Sequence, residues 1–257
     1  MISENAFNDI KTKANEMKYS SIRYAEYDDL RNSEIICDDD FILLFDKHSE
    51  HINFAINDFK AMVGKISKVK GKVSIHFVPR EYVSALEGIG FEIWAEFADH
   101  FNRDLQITAA DLDNVVEIVW LAPDKCADAA EVSQKCKLQS RGFEGDEKEW
   151  LEEWFKEGNG VIVVEKDFAI VGICCVAVYD NGKNLWIRSV AVDPEHQGCK
   201  IGKTLIEQAI SWGASKGAVT GFLATDLQNK NARMLFERYG FEQKSGEDAV
   251  EIQMIRR

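Results

Sequence analysis

The stretch that decides the reading is Val190-Ala191-Val192-Asp193-Pro194-Glu195-His196-Gln197-Gly198-Cys199-Lys200-Ile201-Gly202-Lys203. It reads as the end of a strand, a polar loop opened by a proline, and the start of a helix. The helix is predicted over residues 201–215, with Ile201, Leu205, Ala209 and Trp212 on its apolar side and Gly217 as its stop. Backbone N–H groups in the first turn of a helix have no partner inside it, and the helix dipole adds positive potential there. An anion fits such a place, and a pyrophosphate fits best where small residues let it approach. Gly198 and Gly202 give that clearance, and Lys200 and Lys203 add charge. A P-loop needs one residue more between its glycines than Cys199, Lys200 and Ile201 provide, although Lys203-Thr204 follow as a P-loop would have them. The dinucleotide pattern Gly-x-Gly-x-x-Gly is absent.

Working outward, the surrounding sequence alternates strands and helices. Strands are predicted at 115–121, 161–165, 168–179, 185–192, 219–224, 241–243 and 250–255, and helices at 127–138, 147–156 and 229–239. A tight Lys166-Asp167 link makes a hairpin of the second and third strands. The strand–helix–strand–helix–strand order is that of an α/β domain with a mixed sheet.

The first part is less regular. A helix is expected to run to Met17 with Ser3 as its N-cap, followed by strands at 41–45 and 52–56 and a helix at 59–69. Then an echo appears. A strand at 73–78, a short helix at 81–88 and Gly90-Phe91-Glu92 repeat the order that ends in Gly240-Phe241-Glu242. Two such units suggest an internal duplication with an eroded first copy. The expected division is residues 1–112 and 113–257. The run Asp38-Asp39-Asp40 has no calcium-loop spacing and reads as a solvated turn.

The whole chain has 257 residues and a formal net charge of −13. Lys and Arg stand against Asp and Glu at 13 to 19 before residue 110 and at 18 to 25 after it, so the acidity is spread out. An acidic surface repels phosphate backbones, which argues against a nucleic-acid partner. The two lysines at the helix start invert that sign locally. No apolar run is long enough for a membrane span, and the first twenty residues lack a signal-peptide core. Of the six cysteines, none forms a Cys-x-x-Cys pair, so no metal site is expected. Scattered thiols suit a reducing cytoplasm, and Cys174 and Cys175 should point to opposite faces of one strand.

The decisive segment resembles the acyl-CoA-binding motif of GNAT-superfamily N-acetyltransferases, Gln/Arg-x-x-Gly-x-Gly/Ala. Gln197 fills the first position and Gly202 the last, while Lys200 stands where the family usually has its first glycine. Asn229, Ala232, Leu235 and Gly240-Phe241 resemble the family's later Asn-x-x-Ala-x-x-Leu-Tyr-x-x-x-Gly-Phe block. The resemblance covers residues 115–257 in full and implies a GNAT-like fold there, with a partial, degenerate copy before it.

The resemblance also implies a mechanism. Two parallel strands splay apart, acetyl-CoA lies between them against the backbone of Val190, Ala191 and Val192, and its pyrophosphate sits on Gln197, Gly198, Cys199, Lys200, Ile201, Gly202 and Lys203, with Asn229 nearby. A small-molecule amine then attacks the thioester directly, and Cys199 is a bystander by the phosphates. The family's usual thiolate acid, a Tyr, is replaced by Phe236, and Ile187, Arg188 and Ser189 offer no carboxylate. Asp226 remains as a candidate base, with capping of the next helix as its competing role. Tyr239 stands at a packing position, and His196 reads as a loop residue. The alternative to an enzyme is a non-catalytic acetyl-CoA-binding regulatory or scaffold protein. Either a monomer or a homodimer is compatible with the sequence.

Overall fold

A computed structural model describes residues 1–38, 41–105, 117–137, 139–156, 159–246 and 250–257. The chain begins with α1 (Glu4–Glu16), β1 (Tyr19–Ser20), α2 (Tyr27–Leu30), β2 (Glu34–Asp38), β3 (Ile42–Asp46) and β4 (His51–Ile56). It continues with α3 (Phe59–Ile66), β5 (Val73–Ile75), α4 (Val83–Glu87), β6 (Glu92–Asn102) and β7 (Glu117–Trp120). Next come α5 (Cys126–Lys135), α6 (Lys148–Lys156), β8 (Gly160–Lys166), β9 (Ala169–Tyr179) and β10 (Asn184–Val192). The remainder is α7 (Ile201–Ser215), β11 (Thr220–Asp226), α8 (Lys230–Arg238), β12 (Glu242–Gln243) and β13 (Val250–Arg256). Residues 1–96 and 250–257 group as one compact unit and residues 97–249 as another. The division expected at 112/113 lies outside the described residues.

In the first unit, β2, β3 and β4 form an antiparallel meander, β5 joins β4 in parallel, and β13 joins β5 antiparallel. Side chains alternate across this sheet as the pleat requires. Leu43, Phe54 and Ile56 pack with Phe59, Met62 and Ile66 of α3. Ile42, Leu44 and Ala55 pack with Phe7, Ile10 and Ala14 of α1. Ser3 caps α1, its hydroxyl accepting from the Ala6 N–H.

In the second unit, β8, β9 and β10 form an antiparallel meander, β7 pairs β8, and β11 joins β10 in parallel. Residues 97–102 of β6 then pair β11, and β12 pairs β6. One face of this sheet carries α7: Cys174, Val176, Leu185 and Ile187 share a core with Leu205 and Ala209. The other face carries α5 and α6: Cys175, Ala177 and Ala191 pack with Ala129, Leu151 and Trp154. The adjacent cysteines thus serve opposite cores. Burial pushes the Cys174 thiol well above its usual range and the Cys175 thiol up to about 12, so both are inert.

The two units share one order of elements: meander, helix, parallel strand, helix, Gly-Phe, strand. The hydrogen bonds echo it too. The N–H groups of Ile89, Gly90 and Phe91 bond to Leu86, Glu87 and Leu86, and those of Tyr239, Gly240 and Phe241 bond to Phe236, Glu237 and Phe236. Both glycines have positive φ, +91° and +76°, which a side chain would resist.

Some expected boundaries move. The strand predicted to Val78 stops at Ile75, because Phe77 turns to φ 58°. The hairpin after β8 turns on Asp167 and Phe168, both with positive φ, one residue later than expected.

Candidate active site

β10 and β11 are parallel partners only as far as Trp186↔Phe222. β10 runs on to Val192, paired there with β9 alone among the described strands, and β11 runs on to Asp226, paired there with β6. The two strands therefore part beyond residues 186 and 222. The backbone edge of residues 187–192 is left facing the gap. Val190, Ala191 and Val192 lie on that edge. A β-bulge between Ile187 and Ser189 re-aims the edge just where the strands part.

The helix start stands at the mouth of this gap. Asp193 opens the turn, its carboxylate accepting from the Glu195 N–H. Gly198 has φ +79° and Lys200 adopts a left-handed φ of 65° as the N-cap of α7. The first bond of the helix runs from the Thr204 N–H to the Lys200 carbonyl. The N–H groups of Ile201, Gly202 and Lys203 precede it and have no helical acceptor. A Cβ on Gly198 would meet nothing within 4 Å, and one on Gly202 only Leu235 at 3.6 Å and Val192 at 3.8 Å. Gly198 thus faces open space that a ligand could occupy, and Gly202 stands at ordinary contact distance from its neighbours without crowding.

β9 fixes the helix from below: a Cβ on Gly172 would stand 2.6 Å from Ile201, so only glycine lets α7 sit this close. Gln197 ties the loop back, its amide donating to the Val192 carbonyl at 3.1 Å and to Gln139 at 2.7 Å. Lys203 leans on Glu207 at 3.6 Å, which shares its carboxylate with the Tyr239 hydroxyl at 2.7 Å. Cys199 is exposed.

The proton-handling candidates fall elsewhere. Asp226 is buried, and its carboxylate receives Arg141 in a bidentate grip, Nε at 2.9 Å and Nη2 at 2.7 Å. Such a grip engages both carboxylate oxygens, which turns them away from a substrate amine. Capping of α8 falls to Asn229, whose side chain accepts from the Ala232 N–H at 3.2 Å. Asp226 therefore neither caps nor stands free; it anchors the loop that carries Arg141. Burial and the bond to Glu207 push the Tyr239 hydroxyl well above its usual range, beyond use as an acid near neutrality, and Phe236 is buried in the core. His196 sits in the loop 3.7 Å from Asp193.

Sequence reasoning missed one group. Asp146, also buried, accepts from Arg188 Nη1 at 2.6 Å, from Ser189 Oγ at 3.0 Å and from Ser133 Oγ at 3.0 Å. Its partners lie 42 and 43 residues away in sequence, beyond any local pattern. A cavity of about 530 Å³ lined by Asn102, Tyr239 and Gly240 lies at the other end of β11 and contains none of the expected site residues. Among the described residues, no group of three His, Cys, Asp or Glu side chains could hold a metal ion, and no helix is long and apolar enough to cross a membrane.

The equivalent place in the first unit is built differently. Only Asn57 and Asp58 link β4 to α3, and Asp58 caps the helix by accepting from the Lys60 N–H at 3.0 Å. The chain's own carboxylate thus fills the anion position. β5 leaves β4 after Ile52↔Ile75, and the freed edge is taken by β1, with Tyr19↔Ile56 and Ser20↔Ala55. The Ser21 N–H adds a bond to the Phe54 carbonyl at 2.9 Å.

A family profile described as "Acetyltransferase (GNAT) family" matches residues 127–241, the span from α5 to the Gly-Phe after α8. Over these residues the chain is similar to the GNAT acetyltransferase family. An uncharacterized N-acetyltransferase of Methanocaldococcus jannaschii is 26% identical over 151 residues, covering 54% of this chain and 59% of that one. The mycothiol acetyltransferase of Streptomyces griseus is 30% identical over 125 residues, covering 49% of this chain and 39% of that one. The chain thus spans about half the length of these curated relatives.

In fold, a GCN5-related N-acetyltransferase from Sphaerobacter thermophilus superposes with a TM-score of 0.61 at 14% identity, over 96% of this chain and 89% of that one. One from Kribbella flavida gives 0.58 at 12% identity, over 88% and 90%. These confirm a GNAT-like mixed α/β fold.

Proposed function

We propose that this protein is an acyl-CoA-dependent N-acetyltransferase that moves an acetyl group from acetyl-CoA to a primary amine of a small molecule by direct attack. The observation that carries the reading is the parting of β10 and β11 after Trp186 and Phe222, directly before the glycine-bearing start of α7. The edge at residues 187–192 is suited to align the pantetheine arm as an added strand, and the N–H groups at 201–203 to hold the pyrophosphate, with Lys200 and Lys203 adding charge. Acetyl-CoA supplies an activated thioester. What the chain supplies is position: a reactant held in line gains more than any single proton transfer.

With Asp226 gripped by Arg141 and Asp146 by Arg188, this reading assigns proton traffic to solvent. A thiol titrating near ~8.5 needs no strong acid to leave. Phe236→Tyr should then raise the rate if protonation limits it, with acetyl-CoA affinity unchanged; an unaltered rate would mean that protonation is not limiting.

The same two ion pairs favour a second reading, a non-catalytic acetyl-CoA-binding regulator. One experiment separates them: thiol release from acetyl-CoA with polyamines, amino acids, aminoglycosides and a peptide beginning in alanine. The last is included because a Bacillus subtilis relative, 29% identical over 82 residues, is named a putative [ribosomal protein bS18]-alanine N-acetyltransferase. Release with any small amine supports the enzyme; release with the peptide alone moves the acceptor to protein; binding without release supports the regulator. In this reading the first unit is a degenerate copy that takes no CoA, and the protein works in the cytoplasm without a metal.

A further inference from the structure

Asp146 stands out because four side chains from two separate elements, α5 and β10, end on it. It lies between Gly145, at φ +74°, and the start of α6, and its own N–H donates to Ser133 Oγ of α5 at 2.8 Å. A Cβ on Gly145 would come within 2.9 Å of Gln134 and 3.0 Å of the Ser133 carbonyl, so the loop is pressed against α5 and can shift little. The Gln134 amide also donates to the Asp146 carbonyl at 3.3 Å. From this fixed base the carboxylate reaches β10, one oxygen taking Arg188 Nη1 and the other Ser189 Oγ. Those two residues form the register shift: Arg188 is the extra residue after Ile187↔Val176, and Ser189↔Cys175 resumes the pairing. The Arg188 guanidinium is clamped from its other side by Trp150, 3.7 Å from the ring centroid.

A bulge leaves one residue unpaired and bends its strand. Where both side chains of a bulge end on one buried, charge-assisted acceptor, its geometry is set from outside the strand. The bulge in turn sets the direction of the backbone edge that begins at residue 187. We infer that Asp146 is a positioning residue for acyl transfer: by holding Arg188 and Ser189 it fixes the β10 bulge so that backbone N–H groups on the open edge meet the acyl carbonyl of the bound thioester. It touches no substrate and moves no proton. The inference rests on the acetyl-CoA reading above, and it adds which residue makes the site recognise the acyl group as distinct from the CoA body.

The consequence is measurable by binding alone. A carbonyl contact favours acetyl-CoA over CoA, by about five-fold for one ordinary hydrogen bond. Calorimetric titration of the whole protein with each ligand should show that preference in wild type. In Asp146→Asn it should fall to about one-fold, with CoA affinity itself within about two-fold of wild type. Because removing one partner of a buried pair can unfold a protein, Ser189→Ala is the second variant; it keeps the Asp146–Arg188 pair and should lose part of the preference. Glu165→Gln serves as control, since it breaks the Lys125–Glu165 pair, 2.7 Å, and should lower thermal stability without touching the preference. A wild-type protein that binds both ligands equally, or variants that keep the full preference, overturn the role of Asp146 while leaving the CoA site intact. A wild-type protein that binds neither ligand overturns the acyltransferase reading and this one with it.

Discussion

Gly202→Glu should strengthen the fold and cripple the ligand site at once. The new Cβ has ordinary contacts only, 3.6 Å from Leu235 and 3.8 Å from Val192, so nothing in the protein must move. Replacing glycine inside a helix gains about 0.5–1 kcal/mol, and a carboxylate in the first turn adds about 0.3–1 kcal/mol through the dipole. For a chain of this size each kcal/mol raises the melting temperature by roughly 2–4 °C. The ligand sees the opposite. One pair of like charges about 4 Å apart costs roughly 1–4 kcal/mol between solvent-like and surface-like screening, and a pyrophosphate presents two. A loss of at least ~30-fold in acetyl-CoA affinity follows, shrinking as salt rises. Gly202→Ala is the companion: it should keep the stability gain and most of the affinity. Differential scanning fluorimetry and isothermal calorimetry on the three proteins settle it. Unchanged affinity in the Glu variant refutes the placement of the pyrophosphate.

The filled edge of β4 and the capping carboxylate of Asp58 predict a single acetyl-CoA per chain; a calorimetric stoichiometry of two would show that the first unit binds as well. Asp226→Asn should lower thermal stability by loosening the Arg141 loop while leaving the acidic limb of the pH–rate profile where it was; a lost limb would restore Asp226 as a base. The first unit should weaken in acid. Burial holds His51 down to about 4 and His76, beside it, down to about 3, whereas both titrate near ~6.5 when unfolded. Between those values the unfolded chain binds the extra protons, so stability is complete above about pH 6.5 and drains as pH falls toward 4. The double substitution His51→Gln, His76→Gln should flatten the melting temperature between pH 7 and 4 relative to wild type, and parallel curves would contradict this.

Much of the second unit is legible because its signals are local. α7 begins and ends where Ile201 and Gly217 place it, since a helix carries its period and its stop within itself. The echo at Gly90-Phe91 and Gly240-Phe241 is legible for the same reason. What escapes depends on distance along the chain. β1 is two residues long and exists because β4 offers an edge, not because Tyr19-Ser20 prefer to be extended. The bulge at Arg188 is marked only by a change of phase, the core side passing from Leu185 and Ile187 to Val190 and Val192 across the polar pair Arg188-Ser189. Asp226 reads as a base or a helix cap until Arg141, 85 residues earlier, is seen to grip it. The loop chemistry at Gln197–Lys203 needed the family resemblance, as two glycines alone would be an ordinary turn.

The pairing of β13 with β5 has a consequence for biosynthesis. Met254, Ile255 and Arg256 lie opposite Ile75, Ser74 and Val73, yet residues 97–249, the whole second unit, are translated in between. At roughly 5–20 residues per second a ribosome takes about 8–30 s to make them. Helices and hairpins form in microseconds, so the first unit has ample time to collapse before its closing strand exists. During that interval β5 keeps an unsatisfied flank, a docking place for stray strands. Limited proteolysis of ribosome-stalled chains would find the segment around 73–78 cleavable until residue 256 has emerged and protected afterwards. The order of synthesis therefore makes the second unit finish folding first, and the older half of the chain is the last to be sealed.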